Sequence, residues 1–476
     1  MLSENTIDPD KVMAKPAPNV PFFIPRQPLT PGISRLHKQD ENQKENDKLE
    51  TPLLFQPLTI LPNFTIPNRI GVSPMCLYSA DPKDGKVTPF HLTHYNGFAI
   101  RGVGLTILES VSVTKNGRTT PNDLGLFKDH DIKDEHDRDS KYMEQIEGLK
   151  QICDFYHSQQ GSESKERQLI GIQLSHGGIK SSQLPLYFGY GDHPIDESRG
   201  GWLNDVHGIS LTSRNRKMFP YAKTMTTAEV WQVIDEFDRA IQDSICKCGF
   251  DFIEIHAAHG YLINQFMSPA TNDGSRKDEF GNGTFESRIK ILLEILKKIQ
   301  NFKKLSNLEF PVFVRISASD NDESSEDGET WKLKDSLKLA PILVDYGVDV
   351  INVSSGGNVA PTKPRIPQWE MAKQIKAAIV AHSQNNTEKL SHHSTSTPTT
   401  TPTSINSRPG RGLVAAVGRI HEGETANKYL EEQVCDICLS GTGFLKNPNQ
   451  VEKWADELKS DVQMNMQVGW VFHKVW

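Results

Sequence analysis

The sequence predicts an α/β protein built as a (β/α)8 barrel, and three observations lead to this prediction. Eight short apolar runs follow one another, each continuous and rich in β-branched residues, as expected for strands buried on both faces. Helical patterns alternate with these runs. The segment after the first run, PMCLYSADPKDG, lacks the GxGxxG loop that a doubly wound nucleotide-binding sheet carries there. The barrel is therefore favoured over an open sheet.

The strands and helices can be assigned in chain order. The predicted strands are Arg69–Ser73, Gly104–Glu109, Leu169–Leu174, Phe252–His256, Pro311–Ile316, Asp349–Val353, Leu413–Val417 and Asp436–Leu439. The predicted helices are Tyr142–His157, Thr227–Lys247, Phe285–Phe302, Leu333–Tyr346, Trp369–His382 and Glu424–Glu432. Thr226 or Thr227 can cap the second helix, with Glu229 in its first turn. Gly249 and Gly347 each end a helix just before a strand, as βα repeats require.

Two polar tracts stand apart from this pattern. Residues 1–50 are polar, Pro-rich and then charged, and we expect a disordered or extended N-terminal arm. Residues 51–460 are expected to form the barrel, and residues 461–476 a C-terminal tail. Within the barrel, residues 383–411 are rich in Ser, Thr and Pro and predict a surface insertion before the seventh strand. His392 and His393 lie in this insertion, where we interpret them as a solvated pair.

Composition narrows the class of protein. The net charge of -7 argues against a general nucleic-acid binder, which needs a basic surface. Six cysteines are too few for a disulfide scaffold in 476 residues. No run of about 18 apolar residues is present to span a membrane. The N-terminus has no apolar core typical of a secretory signal. We therefore expect a cytoplasmic protein without nucleic-acid or membrane partners.

Chemically versatile side chains follow the predicted strands. Because the carboxyl ends of barrel strands share one face, these residues are expected to converge at one mouth. By strand they are Ser73 to Tyr78, Glu109 and Ser110, Gln173 to His176, His256 to Tyr261, Arg315, Ser354 to Gly357, Gly418 and Arg419, and Ser440 to Gly443.

The segment His256-Ala-Ala-His259 is the sharpest local signal. Two histidines three residues apart could ligate zinc, but the metalloprotease pattern HExxH needs a glutamate and a helix. A purely structural role for both also stays open. Alternatively, two imidazoles can donate to one carbonyl oxygen and stabilise an enolate-like charge, with Tyr261 as general acid. We expect no metal here.

Two further sequence patterns are less specific for a function. Glycine turns after the sixth and eighth strands, at Gly356 and Gly441, can bring backbone N–H groups to a phosphate, and barrels often bind phosphate there. Cys435 and Cys438 look like a redox or metal pair. They are expected to lie in one strand with side chains on opposite faces, which argues against a shared metal.

Several long stretches resemble the Old Yellow Enzyme family. They include NRIGVSPMCLYSA, GLTILESVSV, GIQLSHGGIK, FDFIEIHAAHGYLINQFMSPATN and VFVRISASD. The resemblance is narrowest to the bacterial-type branch, which carries a cysteine near its flavin. It covers about Leu54 to Pro448, apart from the insertion.

The resemblance implies a TIM barrel with FMN at the C-terminal face. Such an enzyme takes hydride from NADPH or NADH and passes it to an activated alkene, a small-molecule partner. It implies that Cys76 contacts and tunes the flavin, that Arg315 stabilises its anionic reduced form, and that Tyr261 protonates the substrate. His256 and His259 would hold the substrate carbonyl, and Tyr78 would touch the substrate. The other expected flavin-binding residues are Ser73, Pro74, Met75, Ser110, Gln173, Gly356, Gly418, Arg419, Gly441 and Thr442.

The chain departs from the family pattern at four positions. Ile179, Thr442 and Val468 stand where the family usually has arginine, and Ser110 replaces a small apolar residue. Loss of the phosphate arginine removes a charge-assisted contact, for which Arg419 or Lys446 could compensate. Loss of the arginine that the branch supplies to a neighbouring subunit leaves a homo-oligomer as an open expectation.

Three functions remain to be separated. The leading hypothesis is an FMN-dependent ene-reductase. The second is a flavin-weak or inactive barrel retained as a binding or regulatory module, motivated by the missing arginines. The third is a flavin enzyme that oxidises or demethylates, although the chain lacks the iron–sulfur cysteine cluster of long multidomain relatives.

Overall fold

Eight parallel strands close into a barrel in this computed structural model, which describes residues 14–35, 50–189, 193–209, 219–281, 283–326, 328–391 and 412–471. The strands are β1 (Ile70–Val72), β2 (Leu105–Ser112), β3 (Leu169–Ser175), β4 (Phe252–Ala257), β5 (Val312–Ser317), β6 (Val350–Ser354), β7 (Leu413–Val417) and β8 (Ile437–Ser440). β8 closes the ring by pairing with β1, where Leu439 lies opposite Gly71. The predicted (β/α)8 barrel is confirmed.

A helix follows each strand before the next one begins. The helices are α1 (Pro89–Ala99), α2 (Glu135–Ser158), α3 (Thr227–Asp243), α4 (Phe285–Ser306), α5 (Leu333–Asp345), α6 (Gln368–Ser391), α7 (Gly423–Glu431) and α8 (Gln450–Glu457). Thr226 caps α3, and its side chain accepts from the Glu229 N–H while the Glu229 carboxylate accepts from the Thr226 N–H. Within the described chain, none of these helices combines the length and apolar content that crossing a bilayer requires.

The end of α6 differs from its prediction. The helix continues past His382 to Ser391, into the tract expected to be an unstructured insertion. Glu388 and Lys389 are good helix formers, so the first residues of the tract can extend an existing helix at little cost. Residues 392–411, with His392 and His393, lie outside the described residues.

A short antiparallel hairpin closes the amino end of the barrel. Its strands are Leu58–Leu61 and Phe64–Ile66. Ile60 and Ile66 are fully buried in a core cluster with residues near the amino ends of the barrel strands, such as Leu105 and Phe252. Because this end is plugged with apolar side chains, the carboxyl end is the one left for chemistry.

The described part of the N-terminal arm packs along the barrel. The Thr30 hydroxyl donates to the Glu166 carbonyl oxygen at 2.9 Å and accepts from the Gly161 N–H at 2.9 Å. Ser34 forms a bridge with Val462, which is itself buried. Residues 14–35 are therefore extended and held by the barrel and by the C-terminal segment.

The geometry expected for the Cys435 and Cys438 pair was wrong. Cys435 precedes β8 rather than lying within it, and the two sulfur atoms are 3.7 Å apart in the core. A residue before a strand need not follow the alternation of side chains within it. Both cysteines are buried, and neither is in a disulfide.

Candidate active site

The carboxyl ends of opposite strands meet at the mouth of the barrel. Arg315, at the end of β5, donates from Nη1 to the Ser73 hydroxyl after β1 at 3.2 Å. Beside Ser73, a Cβ added to Gly441 would lie 3.0 Å from the Met75 sulfur. The turn after β1 thus lies against the ends of both β5 and β8.

Arg315 is a buried cation held above a buried carboxyl group. Burial lowers the pKa of Arg315, while Glu254, Cys76 and Tyr261 raise it. Burial raises the pKa of Glu254, and Arg315 lowers it together with hydrogen bonds from Asn352 and Gln173. Arg315 lies opposite His256 in the pairing of β5 with β4, and Cys76 follows by three residues the Ser73 that accepts from Arg315. Arg315 Nε has no hydrogen-bond partner among the described residues.

Gln173 is hydrogen-bonded to the carboxyl group of Glu254. Its Nε2 donates to Glu254 Oε1 at 2.7 Å, and Asn352 Nδ2 donates to Glu254 Oε2 at 2.8 Å. The side chain therefore links β3 to β4 inside the barrel. One of its two amide N–H groups is used in this bond, so the second N–H and the amide oxygen can make further contacts.

His256, His259 and Tyr261 form one cluster of rings. The centroids of His256 and His259 are 5.2 Å apart, and those of His256 and Tyr261 are 4.8 Å apart. His259 has φ of 61°, and its Nε2 lies 2.7 Å from the Ser354 hydroxyl. The left-handed backbone at His259 turns the chain back so that both imidazoles face the same space.

Both imidazoles are held in the neutral form. Burial lowers the pKa of His256, and His259 and Arg315 lower it further. Burial also lowers the pKa of His259, with Arg315 and Lys180 adding to the effect. His256 Nδ1 accepts from the Ala258 N–H at 3.2 Å, so its proton is assigned to Nε2. A neutral imidazole with a fixed N–H can donate to a carbonyl oxygen.

Cys76 and Tyr78 lie on the turn after β1. Burial raises the pKa of Cys76, whereas the nearby backbone of Ser110 lowers it. The Ser110 and Ser175 hydroxyls are hydrogen-bonded to each other. Tyr78 has φ of 49°, and its carbonyl oxygen accepts from the Tyr187 hydroxyl at 3.1 Å.

The residues expected to bind phosphate differ in their exposure and in whether their backbone N–H groups are available. Gly418 has φ of 109°, and an added Cβ would lie 1.8 Å from the Gln368 side chain, so only glycine fits there. Arg419 follows it and is exposed. Thr442 is exposed at the start of a short helix after β8. The Gly356 N–H, however, donates to the Ser319 carbonyl oxygen at 2.7 Å, so it is not available to a phosphate.

The structure shows the surroundings of two positions at which this chain lacks the arginine usual in the family, Ile179 and Val468. Ile179 is buried in a small apolar cluster with Val206, Phe219 and Ala222 under the loop after β3. Arginine would be costly there because its charge would have no partner in the cluster. Val468 lies partly exposed on the short helix Met466–Gly469 near the C-terminus.

Glu254 and Asn352 were not predicted as part of the site, and Glu109 was expected at the mouth without a role. Glu254, Asn352 and Glu109 are fully buried within apolar strands. A signal was present, because an acid or an amide inside a run such as FIEIH or LTILES is costly unless it has a partner. Lys180 was also missed, and its Nζ donates to the His259 carbonyl oxygen at 3.2 Å.

Comparison with known proteins gives the family. Residues 53–461 match the family described as NADH:flavin oxidoreductase / NADH oxidase. An NADH:flavin oxidoreductase of Gibberella zeae is 36% identical over 429 residues, which are 88% of this chain and 89% of that protein. An NADPH dehydrogenase of Bacillus subtilis is 31% identical over 419 residues, covering 88% of this chain and 99% of that one.

Solved structures show the same fold. Morphinone reductase superposes with a TM-score of 0.58 at 18% identity, over 87% of this chain and 91% of the other. A 2-naphthoyl-CoA reductase gives a TM-score of 0.59 at 18% identity, over 85% of this chain and 52% of the other. The chain belongs to the NADH:flavin oxidoreductase / NADH oxidase family, the FMN- and NAD(P)H-dependent oxidoreductases of the Old Yellow Enzyme type.

Proposed function

We propose that this oxidoreductase reduces the activated C=C bond of an enone-type substrate. The observation that carries the proposal is the cluster of His256, His259 and Tyr261 beside Arg315 and Cys76. Two neutral N–H donors, one phenol and one buried cation are the groups that such a reduction needs from the protein.

The residues at the mouth fit FMN. Arg315 is buried and its Nε has no partner among the residues that the structure describes, so it has hydrogen-bonding capacity for an anionic ring edge. Gly441 packs closely against Met75, because a Cβ there would lie 3.0 Å from the Met75 sulfur, so the backbone after β8 lies against the turn after β1. When bound, FMN supplies the hydride chemistry between a reduced nicotinamide and the alkene. The ring would be held by Ser73, Pro74, Met75, Cys76, Ser110, Gln173 and Arg315, and the phosphate by Gly418, Arg419, Gly441 and Thr442.

His256 and His259 would orient the substrate and stabilise its developing charge. Donors already in place at a forming enolate oxygen cost no reorganisation, and one such donor can be worth about 3 kcal/mol of barrier. Because both imidazoles are neutral, they donate without competing for the substrate proton. Tyr78, on the turn after β1, would contact the substrate from the other side.

Tyr261 would deliver the proton that completes the reduction. Its ring packs against His256, so its hydroxyl belongs to the same cluster as the carbonyl-binding donors. A phenol is a weak acid that keeps its proton until a basic carbon develops next to it. The proton then goes from the hydroxyl oxygen to the substrate carbon α to the carbonyl.

The absorbance spectrum of the purified protein tests this function. A yellow protein that is bleached anaerobically by NADPH or NADH, and reoxidised by cyclohexenone, is the expected result. Comparing the two nicotinamides identifies the donor. Colourless protein that takes up no FMN on titration would overturn the proposal. Saturable FMN binding with no turnover of any enone would favour the second hypothesis, a binding module.

The missing phosphate arginine bears on that titration. Arg419 and Lys446 are exposed cations after β7 and β8, and either could take over the phosphate. FMN affinity that falls in Arg419→Ala or Lys446→Ala identifies the replacement. Affinity unchanged in both variants would leave the phosphate to backbone groups alone.

We also propose that the protein works in the cytoplasm as a small-molecule enzyme. All six cysteines are free thiols, as a reducing compartment requires. Fractionation of cells that express the tagged full-length chain tests the compartment, and recovery in an organelle fraction would contradict it.

A further inference from the structure

Glu254 is a fully buried carboxyl group inside the barrel, and the reaction proposed above gives it no task. Successive side chains of a strand point to opposite faces, so Phe252, Glu254 and His256 of β4 share one face. Phe252 belongs to the apolar cluster near the amino end of the barrel, and His256 lies at the mouth. Glu254 therefore occupies the layer between the apolar core and the proposed flavin site, where an acid is costly without partners.

Two amide side chains reach this carboxyl group from different strands. Gln173 lies opposite Glu254 in the pairing of β3 with β4, and its Nε2 donates to Oε1 at 2.7 Å. Asn352 lies on β6, and its Nδ2 donates to Oε2 at 2.8 Å, across the intervening strand β5. Each oxygen of Glu254 thus accepts one amide N–H group.

These contacts determine which way the Gln173 amide faces. A glutamine can turn either its oxygen or its nitrogen toward a neighbour, but an acceptor oxygen such as Oε1 of Glu254 pairs only with the nitrogen. Gln173 is therefore left with its oxygen and its second N–H for other groups. A carboxyl group retains acceptor capacity when it is protonated, so this arrangement needs the oxygens of Glu254 rather than its charge.

The groups that Gln173 offers are complementary to a flavin. The pyrimidine part of the isoalloxazine ring carries carbonyl oxygens on either side of a ring N–H, so it presents acceptors and a donor together. An amide already fixed in one orientation can pair with this edge without losing rotamer freedom on binding, whereas an amide that is free to turn loses it. Pre-organisation of Gln173 should therefore strengthen FMN binding.

We propose that Glu254 is a positioning residue that sets the orientation of the Gln173 amide for the flavin ring. It acts through Gln173, while Asn352 holds its second oxygen and so fixes the carboxyl group. This role rests on the proposed function, in which Gln173 hydrogen-bonds the ring. Side chains that support a binding residue in this way hold a site in its productive geometry before the ligand arrives.

Titration of FMN into the full-length chain freed of flavin, followed by flavin fluorescence, tests this role. Glu254→Met nearly keeps the length of the side chain but removes both acceptor oxygens. The Kd for FMN should rise about 10-fold, because Gln173 is then no longer held in one orientation. Affinity should fall similarly in Gln173→Leu, and adding Glu254→Met to that variant should cause no further loss. Additive losses in the double variant would overturn the proposal.

An exchange of the acid and the amide separates orientation from loss of charge or packing. Glu254→Gln is combined with Asn352→Asp, which conserves the number of acids and nearly the volume. The carboxylate, now on β6, accepts from the new amide on β4, whose oxygen is left to accept from Gln173. FMN affinity should return to within about twofold of the wild type. An exchange variant that binds FMN as weakly as Glu254→Met would contradict the proposed role.

Gln168→Leu is the control for a general loss of stability. Gln168 is a buried amide just before β3, and its Nε2 donates to the Ala99 and Val103 carbonyl oxygens, both at 2.9 Å. The substitution should lower the unfolding temperature and leave FMN affinity unchanged. An equal fall of FMN affinity in Gln168→Leu and Glu254→Met would mean that Glu254 only supports the fold.

A second variant covers the case in which Glu254→Met does not fold. Glu254→Met combined with Asn352→Leu removes a buried acceptor together with one of its donors, which costs less than removing one partner alone. The same rise in Kd is expected, and wild-type affinity in this pair would overturn the proposal. Wild-type FMN binding without turnover of any enone would count against the proposed reduction but not against Glu254. A wild-type chain that takes up no FMN would overturn both.

Discussion

Tyr261 is the residue whose proposed role separates the two halves of the reaction. Removing its hydroxyl should slow protonation without affecting reduction of the flavin. In Tyr261→Phe we expect enone turnover to fall by about 10²-fold or more, while anaerobic bleaching by NADPH keeps its wild-type rate in stopped-flow absorbance. Tyr429→Phe, on α7, is the matched control and should change neither rate. Wild-type turnover in Tyr261→Phe would remove the residue from the proposed role.

His176 gives the protein a defined sensitivity to acid. Burial lowers the pKa of His176 to about 3, below its ordinary value, so the unfolded chain binds a proton at mildly acidic pH that the folded chain does not. Stability from this group is therefore lost as pH falls below about 6.5, by roughly 1.4 kcal/mol per pH unit.

His176→Asn should remove this dependence. Asparagine can still accept from the Gly178 N–H, which donates to His176 Nδ1 at 3.0 Å. The free energy of unfolding in urea, measured between about pH 5 and 7, should fall less steeply in the variant by about one proton. Parallel curves for variant and wild type would show that His176 is protonated in the folded state.

The family resemblance identified the residues at the mouth of the barrel, but not the buried polar side chains that lie next to them inside the barrel. His256, Tyr261, Cys76 and Arg315 stand in long specific motifs, so their assembly could be expected from the sequence. The link from Gln173 through Glu254 to Asn352 could not, because pairing partners on three strands depend on register. An acidic residue within an apolar strand indicates that a hydrogen-bonding partner exists, but the sequence does not identify that partner.

Strands were easier to predict than the short elements around them. All eight barrel strands are continuous apolar runs, and their observed ends lie within three residues of the predicted ones. The hairpin strands Leu58–Leu61 and Phe64–Ile66 were missed because three or four residues carry too little pattern. Helix α1 was missed as well, since His, Asn and Gly interrupt its apolar face.

The hairpin that closes the amino end should contribute stability but not catalysis. Ile66 is fully buried in the cluster below the barrel strands, far along the barrel from the mouth. Ile66→Ala should lower the free energy of unfolding by about 2–5 kcal/mol, through lost burial and the cavity left behind. Val380→Ala, at an exposed valine of α6, is the control and should cost well under 1 kcal/mol. FMN affinity should be unchanged in both variants. A fall in FMN affinity in Ile66→Ala alone would mean that the hairpin at the amino end helps to shape the site.

The turn Leu186–Phe188 is an element suited to a large apolar substrate. Leu186, Tyr187 and Phe188 are 59%, 61% and 67% exposed, and Tyr187 packs edge-on against Tyr78 at 6.1 Å between ring centroids. Substrates with an apolar body could bury these side chains. In a Leu186→Ser, Phe188→Ser double variant, KM for a ring-bearing enone should rise about 10-fold, which is near 1.4 kcal/mol of lost burial.

Two measurements complete that test. Turnover of a small enone such as cyclohexenone should stay unchanged in the double variant. Leu445→Ser, at an exposed leucine after β8, should affect neither substrate. Equal effects on large and small enones would show that the turn supports the fold rather than substrate choice.

At the level of the complete chain, FMN and the barrel should stabilise each other. The predicted site residues come from all eight strands together with the loops that follow them, so a ligand at the mouth links segments distant in sequence. A ligand that binds only the folded chain adds about 2.7 kcal/mol at a concentration of 100 Kd. Unfolding temperature in calorimetry should therefore rise by a few degrees with excess FMN. Riboflavin, which lacks the phosphate, should raise it less. An equal rise in unfolding temperature with FMN and with riboflavin would show that the residues after β7 and β8 give the phosphate no net binding energy. That result is expected if no other cation replaces the arginine that the family usually has at position 442.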